Sequence, residues 1–271
     1  MRALKGDRYG LADLGAALNG NPGIAGLVEH HALLYADLAD PVRLLRGQAQ
    51  PTELSGYWPH ASGSAGEPDA YARYSALMGA SQAMIAEDVL EACDLSGARH
   101  LMDVGGGEGA FLEAVAARHA HLGLTLFDLP AVAERASARL SRAGLGSRVA
   151  CRGGDFHTGL PPGADAITLV RIVHDHDDQP AQALLAAAHA ALIPGGRLIV
   201  AEPMAGTPGA EPVGDAYFGL YLLAMGSGRP RRAEELRTML QAAGFSTIRA
   251  ARVRRPLLAR VLIAQKSGAV S

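Results

Sequence analysis

The chain has 271 residues, of which 49% are hydrophobic and 19% charged, with a net charge of -2. That is enough apolar material for a sizeable core, and too little positive charge to attract nucleic acid. Two cysteines exclude a disulfide framework and fit a reducing compartment, and no run reaches the roughly 20 apolar residues that cross a bilayer.

The first residues are polar and carry no signal peptide, which with the cysteine usage predicts a cytoplasmic protein. Tyr9-Gly10-Leu11 reads as a strand end, and Pro22-Gly23 opens a helical pattern. Ile24, Leu27, Val28, His31, Leu34, Tyr35 and Leu38 recur at spacings of three and four, and the pattern stops at Asp40-Pro41. His30 and His31 read as structural residues of that helix. Residues 60–69 form a loop by composition, and a second helical pattern follows from Tyr71 through Leu90. The first 95 residues are therefore expected to form a mainly helical segment.

From His100 short apolar runs alternate with helical stretches. Strands are expected at Leu101–Val104, Leu124–Phe127, Val149–Arg152, Ala166–Val173 and Arg197–Ala201. Two late strands follow, near Ser246–Val253 and Leu257–Gln265, and a helix is expected from Ala181 to Ile193. The alternation predicts an α/β domain over residues 96–271, with a doubly wound, mostly parallel, Rossmann-like sheet. The longest apolar run, Ala216–Met225, reads as a buried helix.

In such a sheet ligands bind beyond the carboxyl ends of the strands, and the distinctive polar groups fall there. Gly105, Gly106, Gly107 and Gly109 follow the first of these strands. A turn without side chains lets the backbone approach a ligand, and the next helix offers free N–H groups. Asp128, about 20 residues on, suits a carboxylate that accepts both hydroxyls of a ribose. Gly105, Gly107 and Ala110 equally satisfy a dinucleotide fingerprint, so the turn alone leaves NAD and S-adenosylmethionine both open.

Asp103, inside an apolar strand, needs partners: N–H groups of the glycine loop, a ligand ammonium, or local bracing. Asp155 could face an adenine or be a solvated turn residue. His174-Asp175-His176-Asp177-Asp178 offers a base with an adjacent acid, and equally a metal site or an unreactive polar loop. Glu202 could hold the His174 ring or end its strand in a salt bridge.

Taken together, LMDVGGGEG, FDLP, GGDF, RIVHDHDD, PGGRLIVAEP and AAGF resemble, in order, the blocks of the plant-type and bacterial small-molecule O-methyltransferases that use S-adenosylmethionine. The resemblance covers roughly residues 9–266. It implies that His174 is the general base, steadied by Glu202 and assisted by Asp175. It implies that Gly105, Gly107, Asp128, Leu129, Asp155 and Phe156 contact the cofactor, with Asp103 and Arg171 beside them, and that no metal is needed. Many members carry Trp where His176 stands, and many plant members carry a second Glu near Pro230.

Within the family, GNPGIAGLVEHHALLYADLADPVRLLRG and AEPMAGTPGAEPVGDAYFGLYLLAMGSGRPR are most similar to the carotenoid-modifying branch of purple photosynthetic bacteria. That likeness implies a small hydrophobic substrate with a tertiary hydroxyl; a phenol or antibiotic-like acceptor is the alternative. The apolar run Ala216–Met225 and a Tyr71–Met84 helix would line its tunnel. Members usually open with a winged-helix domain that helps dimerise. This chain begins near that domain's last strand, so a shortened or misassigned start is expected, and homodimerisation and peripheral membrane contact stay open.

Overall fold

The computed structural model describes residues 1–20, 22–57, 79 and 82–268. The expected loop at 60–69 and residues 71–78 of the expected tunnel helix lie outside the described residues. The chain divides into two compact units, Met1–Ser81 and Gln82–Ser271.

In the first unit β1 (Arg2–Ala3) and β2 (Tyr9–Gly10) form an antiparallel pair. Among the described residues four helices follow: α1 (Asp13–Asn19), α2 (Pro22–Asp37), α3 (Pro41–Leu45) and α4 (Glu53–Tyr57). Asp40 caps α3 by accepting the Arg43 N–H at 3.0 Å. The Asp37 carboxylate, at the end of α2, accepts the Glu53 and Leu54 N–H groups at 2.8 and 3.0 Å. It thus satisfies two of the donors that a helix start leaves free. The expected apolar face of α2 is only partly buried: Leu34 and His30 are buried, whereas Val28 and Tyr35 are exposed.

The second unit opens with helical residues 82–92 (α5). Then come β3 (His100–Val104), α6 (Ala110–Arg118), β4 (Gly123–Asp128), α7 (Pro130–Arg142), β5 (Val149–Gly153) and β6 (Ala164–Val170). After them follow α8 (Asp178–Ala191), β7 (Leu192–Glu202), α9 (Phe218–Met225), α10 (Ala233–Ala242), β8 (Phe245–Ala251) and β9 (Arg260–Lys266). The seven strands lie in the order β5-β4-β3-β6-β7-β9-β8. The first five are parallel, and β9 runs antiparallel to both β7 and β8. An all-parallel dinucleotide sheet ends differently, with its sixth strand beside the fifth. The reversed β9 inserted between β7 and β8 departs from that pattern.

Both faces of the sheet are covered, so its strands read as continuous apolar runs. Leu101, Leu124, Leu126, Ile199 and Val261 pack on one side with α5, α6 and α7. Their neighbours Met102, Phe127, Val200 and Leu262 pack on the other with α8 and α10. Each such side chain taken fully from water contributes about 1.5–3 kcal/mol before the entropy of ordering it. Ile85, Val89 and Leu90 of α5, grouped by the sequence pattern with the first 95 residues, belong to this core.

Three expected boundaries move. The fourth strand ends at Val170 rather than Val173, because Arg171 adopts a left-handed φ of 58° that no strand continues through. The helix expected to reach Ile193 stops at Ala191, and β7 starts at Leu192, carrying Pro194-Gly195-Gly196 inside it. The last strand begins at Arg260, not Leu257.

Candidate functional site

The parallel register brings the polar strand ends to one rim, as the topology requires. Gly105 follows β3, Asp128 ends β4, Asp155 follows β5, His174 follows β6, and Glu202 ends β7.

The glycine turn is tight for identifiable reasons. Gly105, Gly107 and Gly109 all have left-handed φ values of 69°, 56° and 83°. A Cβ on Gly105 would stand 2.5 Å from Ile172 Cδ1, and one on Gly106 would stand 2.8 Å from Asp103 Oδ2. Only a bare backbone fits between the β3 end and the segment that carries His174. Gly107 donates its N–H to Asp128 Oδ2 at 2.8 Å, and Leu129 donates to Oδ1 at 2.7 Å. Each Asp128 oxygen therefore keeps accepting capacity for a further donor. Burial pushes the Asp128 carboxyl up to about 6 against the pull of those two N–H groups.

Asp103 is also buried. Its partner is not a glycine-loop N–H but the Thr168 hydroxyl of β6, which donates to Oδ1 at 2.6 Å. Burial, with the neighbouring Asp128 charge adding to it, pushes Asp103 up to about 7 despite that bond. A buried carboxyl and a half-buried one stand beside the glycine bend, where a bound cation would favour the ionised form of both. Thr168 escaped the sequence reading because a hydroxyl in a strand carries no motif.

Asp155 is exposed, and its Oδ1 accepts the His157 N–H at 2.9 Å, capping a short turn at Phe156–Thr158. The Phe156 ring lies 5.1 Å from that of His176, edge to face. Arg171 donates from Nη2 to Gln82 Oε1 at 2.9 Å.

His174 sits between two carboxylates. Its Nε2 is 3.1 Å from Asp175 Oδ1, and its Nδ1 is 3.6 Å from Glu202 Oε2. Glu202 was expected to hold the ring by a hydrogen bond; at 3.6 Å it acts by charge. Its other oxygen, Oε1, takes the Ile172 and Val173 N–H groups at 3.1 and 2.8 Å. His174 Nδ1 and Glu202 Oε2 are buried without a hydrogen bond, so a small closure would join them. Burial works to lower the imidazole pKa, but Asp175 and Glu202 outweigh it and raise it above the ordinary histidine value. The Phe218 ring lies 5.5 Å from that of His174, with Tyr217 4.9 Å beyond it.

These contacts form one connected chain. Asp128 binds Gly107; Gly105 abuts Ile172; Ile172 and Val173 bind Glu202; Glu202 faces His174. Among the described residues no group of three or more His, Cys, Asp and Glu is placed to hold a metal ion. Among them also, no helix is long and apolar enough to cross a membrane. In the first unit His30 is buried in α2, and His31 Nδ1 meets the Leu27 carbonyl oxygen.

The O-methyltransferase domain family matches residues 35–246. The chain belongs to this family. It is 46% identical over 262 residues to demethylspheroidene O-methyltransferase of Rhodobacter capsulatus, covering 94% of this chain and 64% of that protein. The enzyme of the same name from Cereibacter sphaeroides is 46% identical over 260 residues, covering 95% and 68%. Among solved structures, LaPhzM superposes with a TM-score of 0.80 at 26% identity, covering 95% of this O-methyltransferase-family chain and 77% of its own. The chain thus spans about two thirds of the length of the curated relatives it matches.

The raised pKa of His174 has a checkable consequence for this family member. Were His174 the base of the reaction, it would have to be neutral first, and turnover would rise with pH through a midpoint above the ordinary histidine value. Asp175→Asn removes one of the two charges that raise it, and the acid limb of the kcat profile should move to lower pH. An acid limb that stays in place would show that Asp175 does not set it.

Proposed function

We propose that the chain transfers a methyl group from S-adenosylmethionine to a hydroxyl oxygen, most simply the tertiary hydroxyl of an acyclic carotenoid. The observation that carries this reading is the buried imidazole held between Asp175 and Glu202, one contact away from the Gly105 turn.

The residues fit the cofactor. The bare Gly105–Gly107 backbone leaves no room for a Cβ at 105 or 106, and Asp128 keeps an acceptor site on each oxygen for ribose hydroxyls. A cationic ligand bound beside Asp103 would draw its carboxyl toward the anion that burial disfavours. Leu129, Asp155, Phe156 and Arg171 complete the proposed contact set. Bound there, S-adenosylmethionine would supply an electrophilic methyl on a sulfonium sulfur. The protein's task is then largely alignment and exclusion of water.

His174 accepts the proton of the acceptor hydroxyl as the oxygen becomes nucleophilic. In the resting arrangement Nε2 faces Asp175 Oδ1 and Nδ1 faces Glu202 Oε2. One nitrogen must turn to the hydroxyl while the other keeps a carboxylate. Either carboxylate then stabilises the imidazolium without accepting its proton. A tertiary alcohol is a weak acid, so the proton leaves late, together with attack.

The substrate class rests on the relatives' printed activity and on the wall beside His174. Phe218 opens α9, whose Tyr221, Leu222, Ala224 and Met225 are buried. The π-helical segment Pro212–Tyr217 precedes it, a geometry often found at functional sites. The units Met1–Ser81 and Gln82–Ser271 are proposed as the dimerisation-related and catalytic parts, and the protein is proposed to act in the cytoplasm, against a membrane surface where its apolar substrate resides.

The test is transfer of a labelled methyl from S-adenosylmethionine to hydroxylated carotenoids and to a panel of phenols, read by mass. Methylated carotenoid in excess is the expected product. Methylated phenol alone would replace the acceptor, and no methylated product would remove the reading.

A further inference from the structure

The turn that carries His174 is gripped by a segment that the proposed reaction does not use. Four successive carbonyls, Val173 to His176, each accept a hydrogen bond from residues 227–231. Arg231 Nη1 donates to Val173 O at 2.9 Å and Nη2 to His176 O at 2.7 Å. The Arg229 N–H donates to His174 O at 2.9 Å, and the Ser227 hydroxyl to Asp175 O at 3.0 Å.

Arg231 is only 2% exposed, and it meets the Asp178 carboxylate at 2.9 and 3.1 Å. A buried guanidinium is retained only where its donors are nearly all used, and here the fork reaches two carbonyls and the start of α8 at once. Gly228 completes the grip. It has a φ of 79°, and a Cβ there would overlap the His174 carbonyl oxygen. Its N–H donates to Asp177 Oδ1 at 2.9 Å.

We propose that residues 227–231, anchored by Arg231, are a positioning clamp that fixes how closely the His174 imidazole approaches Asp175 and Glu202. The backbone of a short turn has little rigidity of its own. With all four carbonyls bound from one side, the ring is presented to the opposite side at a set height. Lysine cannot reproduce the clamp, since an ammonium is a point donor and not a planar fork. The kinetic part of this proposal rests on His174 being the base; the positional part does not.

The experiment compares the wild-type chain with Arg231→Lys and Gly228→Ala, following the His174 ring by NMR titration. The groups facing that ring are Asp175 and His176 of its own turn, Glu202 of β7 and Arg171 beyond β6. A loosened turn changes both the two carboxylate contacts that raise the imidazole pKa and the burial that lowers it, so its midpoint should move in both variants. Affinity for S-adenosylhomocysteine should stay within about threefold, and kcat should fall about tenfold or more with KM little changed.

A His174 midpoint equal to wild type in folded variants would overturn the clamp, even if their melting temperatures drop. Should Arg231→Lys fail to fold, Gly228→Ala and Asp178→Asn carry the same comparison. If the wild type transfers no methyl at all, the proposed function falls, while the titration still decides the clamp.

Discussion

Replacing His174 by alanine should lower kcat by about 10²- to 10⁴-fold, the usual contribution of a positioned general base. That corresponds to about 3–5 kcal/mol of transition-state stabilisation. The loss should fall on kcat. The glycine turn follows β3 and Asp128 ends β4, and their contacts to each other do not pass through the imidazole. Affinity for S-adenosylmethionine, measured by calorimetry, should therefore stay within about twofold. His174→Gln guards against a packing artefact, because it restores much of the volume beside Phe218 without a group that titrates. Turnover close to wild type in either variant would remove the base assignment.

The second large effect lies at Asp128. As an anion it can accept two ribose hydroxyls while its oxygens keep the Gly107 and Leu129 N–H bonds. Asp128→Asn removes the charge and turns one acceptor oxygen into a donor that opposes an N–H. Hydrogen bonds to a charged group contribute about 1.5–3 kcal/mol each, so affinity should fall about 10²-fold or more. The pH dependence has a defined sign. Burial raises this carboxyl to about 6, so the anion is present above that pH and is lost below it. Cofactor affinity in the wild type should thus weaken as pH drops through about 6, by up to tenfold per unit. In Asp128→Asn the dependence arising from this group should vanish. Equal affinity in the variant, or a flat wild-type profile across that range, would count against the ribose contact.

Much of this arrangement was legible in the sequence because parallel sheets tie chemistry to position. Apolar runs ending in Gly105, Asp128, Asp155, His174 and Glu202 had to deliver those residues to one rim once the strands were parallel. The register of β3 with β4 and β6 does so. The order β7-β9-β8 was not legible. A reversed strand slipped between its neighbours leaves no local signature, only two late apolar runs.

Side-chain partners were harder still. Thr168 meets Asp103 across 65 residues, and Arg231 meets Val173 across 58. Arg231 also sits among other arginines in Arg229-Pro230-Arg231-Arg232, where no local pattern sets it apart. The overrun of the fourth strand had a similar cause: Arg171, Ile172 and Val173 have strand-like side chains, and only the left-handed turn at Arg171 shows where the strand stops. The brace at Glu202 was expected as a hydrogen bond and stands instead at 3.6 Å, a difference of tenths of an ångström that no pattern encodes.

The central claim is that the glycine bend, the Asp128 carboxylate and the His174 imidazole serve one bound cofactor and one acceptor. A crystal structure with S-adenosylhomocysteine tests it most directly. Ribose hydroxyls within hydrogen-bonding distance of both Asp128 oxygens, and the sulfur facing the His174 side of the Gly105 turn, are the predicted result. A ligand bound away from Asp128, or a sulfur separated from the imidazole by protein, would contradict it.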